Sequence, residues 1–136
     1  MKKESYTHNT IAIVDDDTTF RFIFSVQLLE INVANKIIQF EDGFGMLEYL
    51  LEHKETPELL PDTIFLDLNM KQVDGWVFLE EYENAKKYIP KEITIHIITG
   101  SSEEEDRLKA KDNSLVVDYI TKPIDSKQLR TTLGYN

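Results

Sequence analysis

The sequence predicts an open, doubly wound α/β sheet, a (βα)5 arrangement of five parallel strands and five helices. Three observations carry this. Five short runs rich in apolar and β-branched residues, at 11–14, 36–40, 63–66, 93–98 and 115–120, have the length of strands. Each is followed by a stretch that reads as a helix, by apolar spacing or by a capping box, and that alternation implies parallel strands joined by right-handed crossovers. The 136 residues are the length of one domain, which buries roughly two-thirds of its unfolded surface.

The first strand, 11–14, stops at Asp15, Asp16 and Asp17, and the helix over 18–30 has Asp17 or Thr18 available as its cap. At about 100° per residue, Phe20, Ile23, Phe24, Leu28 and Ile31 fall on one face of that helix. Phe22, Val26 and Leu29 form a second stripe nearly opposite. Either the helix is buried on both sides or the second stripe docks another helix. The strand at 36–40 leads to a helix over 43–54 with Met46, Leu47, Leu50 and Leu51 at helical spacing. Prolines 57 and 61 mark the loop into the third strand, which runs straight into Asp67.

Asp74, before Gly75, is placed to cap a helix running to about residue 87, with Phe78, Tyr82 and Ala85 on its buried side. The β-branched run at 93–98 leads into Thr99 and Gly100. Ser102 and Glu105 have capping-box spacing for the next helix, whose apolar residues are only Leu108 and Ala110. Pairs Glu103 with Arg107 and Glu105 with Lys109 would support it by roughly 0.2–0.5 kcal/mol each, so it is expected to be the most mobile helix. The last strand ends at Thr121, Lys122 and Pro123, and Asp125 with Gln128 caps a final short helix carrying Leu129 and Leu133.

The composition narrows the function. The chain has no cysteine, which removes disulfide, thiol and thiolate-zinc chemistry. No signal peptide or membrane span is legible, so a cytoplasmic location is expected. A formal charge of −10 opposes binding to nucleic acid or anionic membranes and favours proteins or cations. His8, His53 and His96 lack metal-ligand spacing.

With all strands parallel, their carboxyl ends bring Asp15, Asp16, Asp67, Thr99 and Lys122 to one rim, where open α/β sheets bind ligands. Carboxylates this close raise one another's pKa, and a divalent cation relieves the conflict. Mg²⁺ takes one or two carboxylates with water and phosphate oxygens. Lys122 suits the charge of a phosphoryl group, Thr99 its oxygens, and Asp67 is the central nucleophile.

The set Val14-Asp15-Asp16, Leu66-Asp67-Leu68-Asn69-Met70, Asp74-Gly75, Thr99-Gly100 and Tyr119-Ile120-Thr121-Lys122-Pro123 resembles the receiver domain of two-component response regulators, in its stand-alone, single-domain form. The resemblance spans nearly the whole chain: one receiver domain over 1–136, core about 9–134, without an effector domain. It implies the flavodoxin-like strand order 2-1-3-4-5. Asp67 would be the phospho-acceptor, and Asp15, Asp16, Asp67 and the backbone carbonyl of Asn69 would hold Mg²⁺, or Mn²⁺ in its place. Lys122 and Thr99 would meet the phosphoryl oxygens, Gly100 would keep the site open, and Thr99 with Tyr119 would form the switch. The Lys122-Pro123 bond would be cis.

A histidine kinase or histidine phosphotransfer protein would be the donor, docking on Phe22, Val26 and Leu29. An unidentified protein target would read the last two helices and the strand between them. The implied role is signalling rather than enzymatic. Two departures stand out. Lys71 replaces the family's usual proline, which restores an N–H and is expected to loosen the loop. Asp17 adds a third acid, expected to be a helix cap. The segment 43–61 is also somewhat long for the family. Two other readings compete: a pseudo-receiver that binds without phosphorylation, and a phosphatase of the haloacid dehalogenase type. The latter needs an acid where Asn69 stands and an acidic pair late in the chain.

Overall fold

A computed structural model describes residues 10–71 and 74–134. His8 and the pair Gln72 and Val73 lie outside the described residues. The elements alternate as expected: β1 (Thr10–Val14), α1 (Thr18–Glu30), β2 (Lys36–Phe40), α2 (Gly43–Glu52), β3 (Thr63–Leu66), α3 (Gly75–Ala85), β4 (Thr94–Thr99), α4 (Glu104–Lys111), β5 (Val116–Thr121) and α5 (Ser126–Thr132). The sheet is parallel throughout, in the order β2-β1-β3-β4-β5.

Both faces of the sheet are covered, which is why its central strands read as continuous apolar runs. Along β1 and β3, Ala12, Val14, Ile64 and Leu66 join Met46, Leu50 and Phe78 of α2 and α3 in one core. Ile11, Ile13 and Phe65 join Phe24, Leu28 and Leu129 of α1 and α5 in the other. Strand period 2 thus feeds two cores from one run, and each large side chain buried contributes roughly 1.5–3 kcal/mol.

The helix faces need corrections. Phe24 and Leu28 are buried, but Ile23 is 57% exposed. It lies about 100° and 140° around the helix from those two anchors, so it turns away from the sheet. It joins the second stripe, where Phe22, Val26 and Leu29 are also exposed. Burial of α1 on both sides is thereby excluded. Leu51, about 140° from Met46, is likewise exposed in the last turn of α2.

The start of α4 also differs. Its cap residue is Glu103, with no side-chain cap bond, and Ser102 takes no part. Ser101 is used instead: its hydroxyl donates to Asp106 at 2.7 Å and accepts from the Glu103 N–H. The expected pairs along α4 give way to aromatic contacts. Arg107 lies 4.9 Å from the Tyr119 ring centroid, and Lys109 lies 4.5 Å from that of Trp76. Asp17, Asp74 and Asp125 do cap α1, α3 and α5 through their carboxylates.

Candidate functional site

The sheet ladder delivers the acids to the rim. The Asp67 N–H donates to the Val14 carbonyl at 2.9 Å and the Asp15 N–H to the Phe40 carbonyl at 3.0 Å, which continues parallel pairing one residue past the strands. The Lys122 N–H does the same to Thr99 at 2.8 Å. These main-chain bonds fix where the side chains of Asp15, Asp67 and Lys122 start. Asp15, Asp67 and Thr99 are buried, and Asp16 and Lys122 are half-buried.

One carboxylate oxygen from each of Asp15, Asp16 and Asp67 lies within 4.8 Å of the others. Lys122 Nζ is 2.8 Å from Asp15 Oδ2 and 3.9 Å from Asp67 Oδ2, so a single ammonium faces two buried acids. The charge is under-compensated. Burial first, then the charge of Asp15, raises the Asp67 pKa, opposed by Lys122, the Thr99 hydroxyl and the Asn69 N–H. Hard oxygen donors with excess negative charge fit a divalent cation such as Mg²⁺. Asn69 donates its N–H to Asp67 Oδ1 at 3.4 Å.

A raised acid pKa means that ionised Asp67 opposes folding. The folded state binds the proton more tightly, so stability falls as pH rises from the unfolded pKa, about 3.9, through the folded value. Asp67→Asn is therefore expected to raise the metal-free melting temperature at neutral pH, with the gap over wild type closing toward acid. Thermal unfolding across pH checks this, and a variant no more stable than wild type at neutral pH would contradict it.

Other residues at the site were not singled out by sequence reasoning. The Phe20 ring lies under Lys122 Nζ, 4.1 Å from its centroid, and stacks on Phe24. Arg21 donates to the Asp15 carbonyl and to Gln39, bracing the acidic turn from α1. The one available signal was position: both lie in the first turns of the helix that follows the acids. Trp76 donates to Asp106 at 3.3 Å, and Asp106 accepts from Ser101. Tyr119 donates its hydroxyl to the Ser101 carbonyl at 2.9 Å, linking it to the loop beyond Thr99. The Lys122-Pro123 bond is cis. Lys71 does not leave its N–H free: it donates to Asp16 Oδ2 at 3.0 Å, which ties the loop to the acidic site.

Fold and site together define a flavodoxin-like α/β domain with an acidic centre at its strand ends. The chain belongs to the response regulator receiver domain family of two-component signalling, whose family model matches residues 11–134. A probable methanogenesis regulatory protein, FilR2, of Methanothrix harundinacea is 25% identical over 123 residues, 90% of this chain and 77% of that protein. A two-component response regulator from Cytophaga hutchinsonii superposes with a TM-score of 0.82 at 19% identity, over 93% of both chains, a likeness of fold. The phosphorylated cyanobacterial phytochrome response regulator RcpA superposes with a TM-score of 0.73 at 27% identity, covering 93% of this chain and 89% of that one. Receivers are in general signalling modules. Among the described residues no helix is long and apolar enough to cross a membrane.

Proposed function

We propose that this receiver is a phosphorylation switch in which Asp67 accepts a phosphoryl group from a phosphohistidine. The observation that carries this reading is the buried Asp67 carboxylate with Asp15, Asp16, Thr99 and Lys122 converging on it. An Asp67 oxygen attacks phosphorus, an O–P bond forms, and the N–P bond to the donor imidazole breaks. Lys122 balances charge on the incoming oxygens and Thr99 donates a hydrogen bond to them. Asp15, Asp16, Asp67 and the Asn69 carbonyl would hold Mg²⁺, which would supply charge neutralisation, and Mn²⁺ has the same preference for oxygen ligands.

The output runs through Thr99 and Tyr119. Phosphorylation draws Thr99 toward the new oxygens, and Tyr119, bonded to the adjoining Ser101 carbonyl, follows with α4. The surface of α4, β5 and α5, which exposes Leu108 and Val117, then changes affinity for a protein target. The donor is a histidine kinase or a histidine phosphotransfer protein in the cytoplasm, docked on the exposed stripe of α1.

Two experiments test this. Hydroxylamine should cleave the adduct formed with acetyl phosphate and leave a hydroxamate at Asp67; a hydroxylamine-stable adduct would contradict an acyl phosphate. Replacing Phe22, Val26 and Leu29 together by polar residues should slow transfer from the protein donor by about tenfold or more while leaving acetyl phosphate unaffected, since buried interface anchors are each worth roughly 1 kcal/mol or more. Equal slowing with both donors would overturn the docking face.

A further inference from the structure

Each of the three acids has its own restraint. Asp15 is held by Lys122, and its carbonyl by Arg21; Asp67 faces Lys122, Thr99 and the Asn69 N–H. Asp16 is half-buried and, among the described residues, its carboxylate is held by one hydrogen bond, from the Lys71 main-chain N–H at 3.0 Å. Like charge on Asp15 and Asp67 opposes the inward position of this side chain, and the bond offsets part of that opposition. Lys71 lies 55 residues away in sequence, in the loop after β3, so the bond fastens that loop to the turn after β1.

We infer that the Lys71 amide is a positioning group for the cation site: it holds Asp16 toward Asp15 and Asp67 through Oδ2 and leaves Oδ1 to the metal. The inference rests on the proposed Mg²⁺-dependent function and deepens it. The Lys71 ammonium, on an exposed side chain, acts in the opposite sense, because a nearby cation opposes a divalent one. One residue thus contributes two terms of opposite sign, and two substitutions separate them. Lys71→Ala removes the ammonium and keeps the amide donor. Lys71→Pro removes both and introduces the residue that similar receivers usually carry there.

The test is the Mg²⁺ affinity of the full chain, read from backbone amide chemical shifts of the ¹⁵N-labelled protein during titration with MgCl₂. Lys71→Ala is expected to bind at least as tightly as wild type, and Lys71→Pro roughly three- to tenfold more weakly than Lys71→Ala, the worth of one hydrogen bond. In an Asp16→Ala background the Ala and Pro variants should bind alike, because the oxygen that accepts from Lys71 is gone. Equal affinity of the Ala and Pro variants, tighter binding by the Pro variant, or a difference that persists in the Asp16→Ala background would overturn the inference, the last by assigning the effect to loop stiffness. These outcomes leave the phosphorylation reading intact. A wild type whose acidic loops show no response to Mg²⁺ removes that reading and the inference with it.

Discussion

Lys122→Met is expected to cost the metal-free protein about 3 kcal/mol and to slow phosphorylation by roughly 10²–10³-fold. The stability loss comes from Asp15, which is 1% exposed and loses an ammonium at 2.8 Å. Removing one partner of a buried ion pair costs about 3–5 kcal/mol, and the lower end applies because Lys122 sits at the rim, within reach of water. A domain typically has only 5–15 kcal/mol to lose, so the melting temperature should fall by about 10 °C. The rate loss is that of removing one preorganised donor from developing charge. Saturating Mg²⁺, which Asp15 would help to hold, should recover part of the stability and little of the rate, because it would give Asp15 a counter-charge without restoring the hydrogen-bond donors of the lost ammonium. A variant that melts with wild type would show that the pair does not compensate Asp15.

Gly75→Ala is expected to damage fold and site together. A Cβ at position 75 would lie 2.6 Å from the Asp67 carbonyl and 2.9 Å from the Leu68 Cα, both main-chain atoms that cannot turn aside. The Gly75 N–H also donates to the Leu68 carbonyl at 3.0 Å, so relief of the clash breaks the bond that closes the loop after Asp67. The cost is about 1–3 kcal/mol in stability, as for other overpacked sites, with a displaced Asp67 and slowed phosphorylation. Gly100→Ala is the internal comparison. A Cβ there meets nothing within 4 Å, so stability should change by less than about 0.5 kcal/mol. Equal melting temperatures for the two variants would contradict the contact at Gly75.

What could be read from the sequence was what local chemistry dictates. A strand buried on both faces and ended by an acid is a local pattern, and 11–15 and 63–67 carried it plainly. The caps at Asp17, Asp74 and Asp125 are also local, each carboxylate closing on an N–H three residues ahead. Errors arose where long-range partners competed with local ones. Ser102 has the spacing of a cap, but Ser101 reaches Asp106, which in turn accepts from Trp76 of α3. Arg107 and Lys109 had acids one turn away and instead meet the faces of Tyr119 and Trp76. The bond from Lys71 to Asp16 joins two loops far apart in sequence, so no periodicity announces it. The strand order came from family resemblance, since apolar patterning fixes which residues are buried and not which strands are neighbours.

The most direct test of the account is intact mass after incubation with acetyl phosphate, for wild type and Asp67→Asn, with and without Mg²⁺. One added phosphoryl group is expected on wild type in Mg²⁺, little without the metal, and none on the variant under either condition. An adduct of equal yield on Asp67→Asn, or none on a folded wild type shown to bind Mg²⁺, would contradict it.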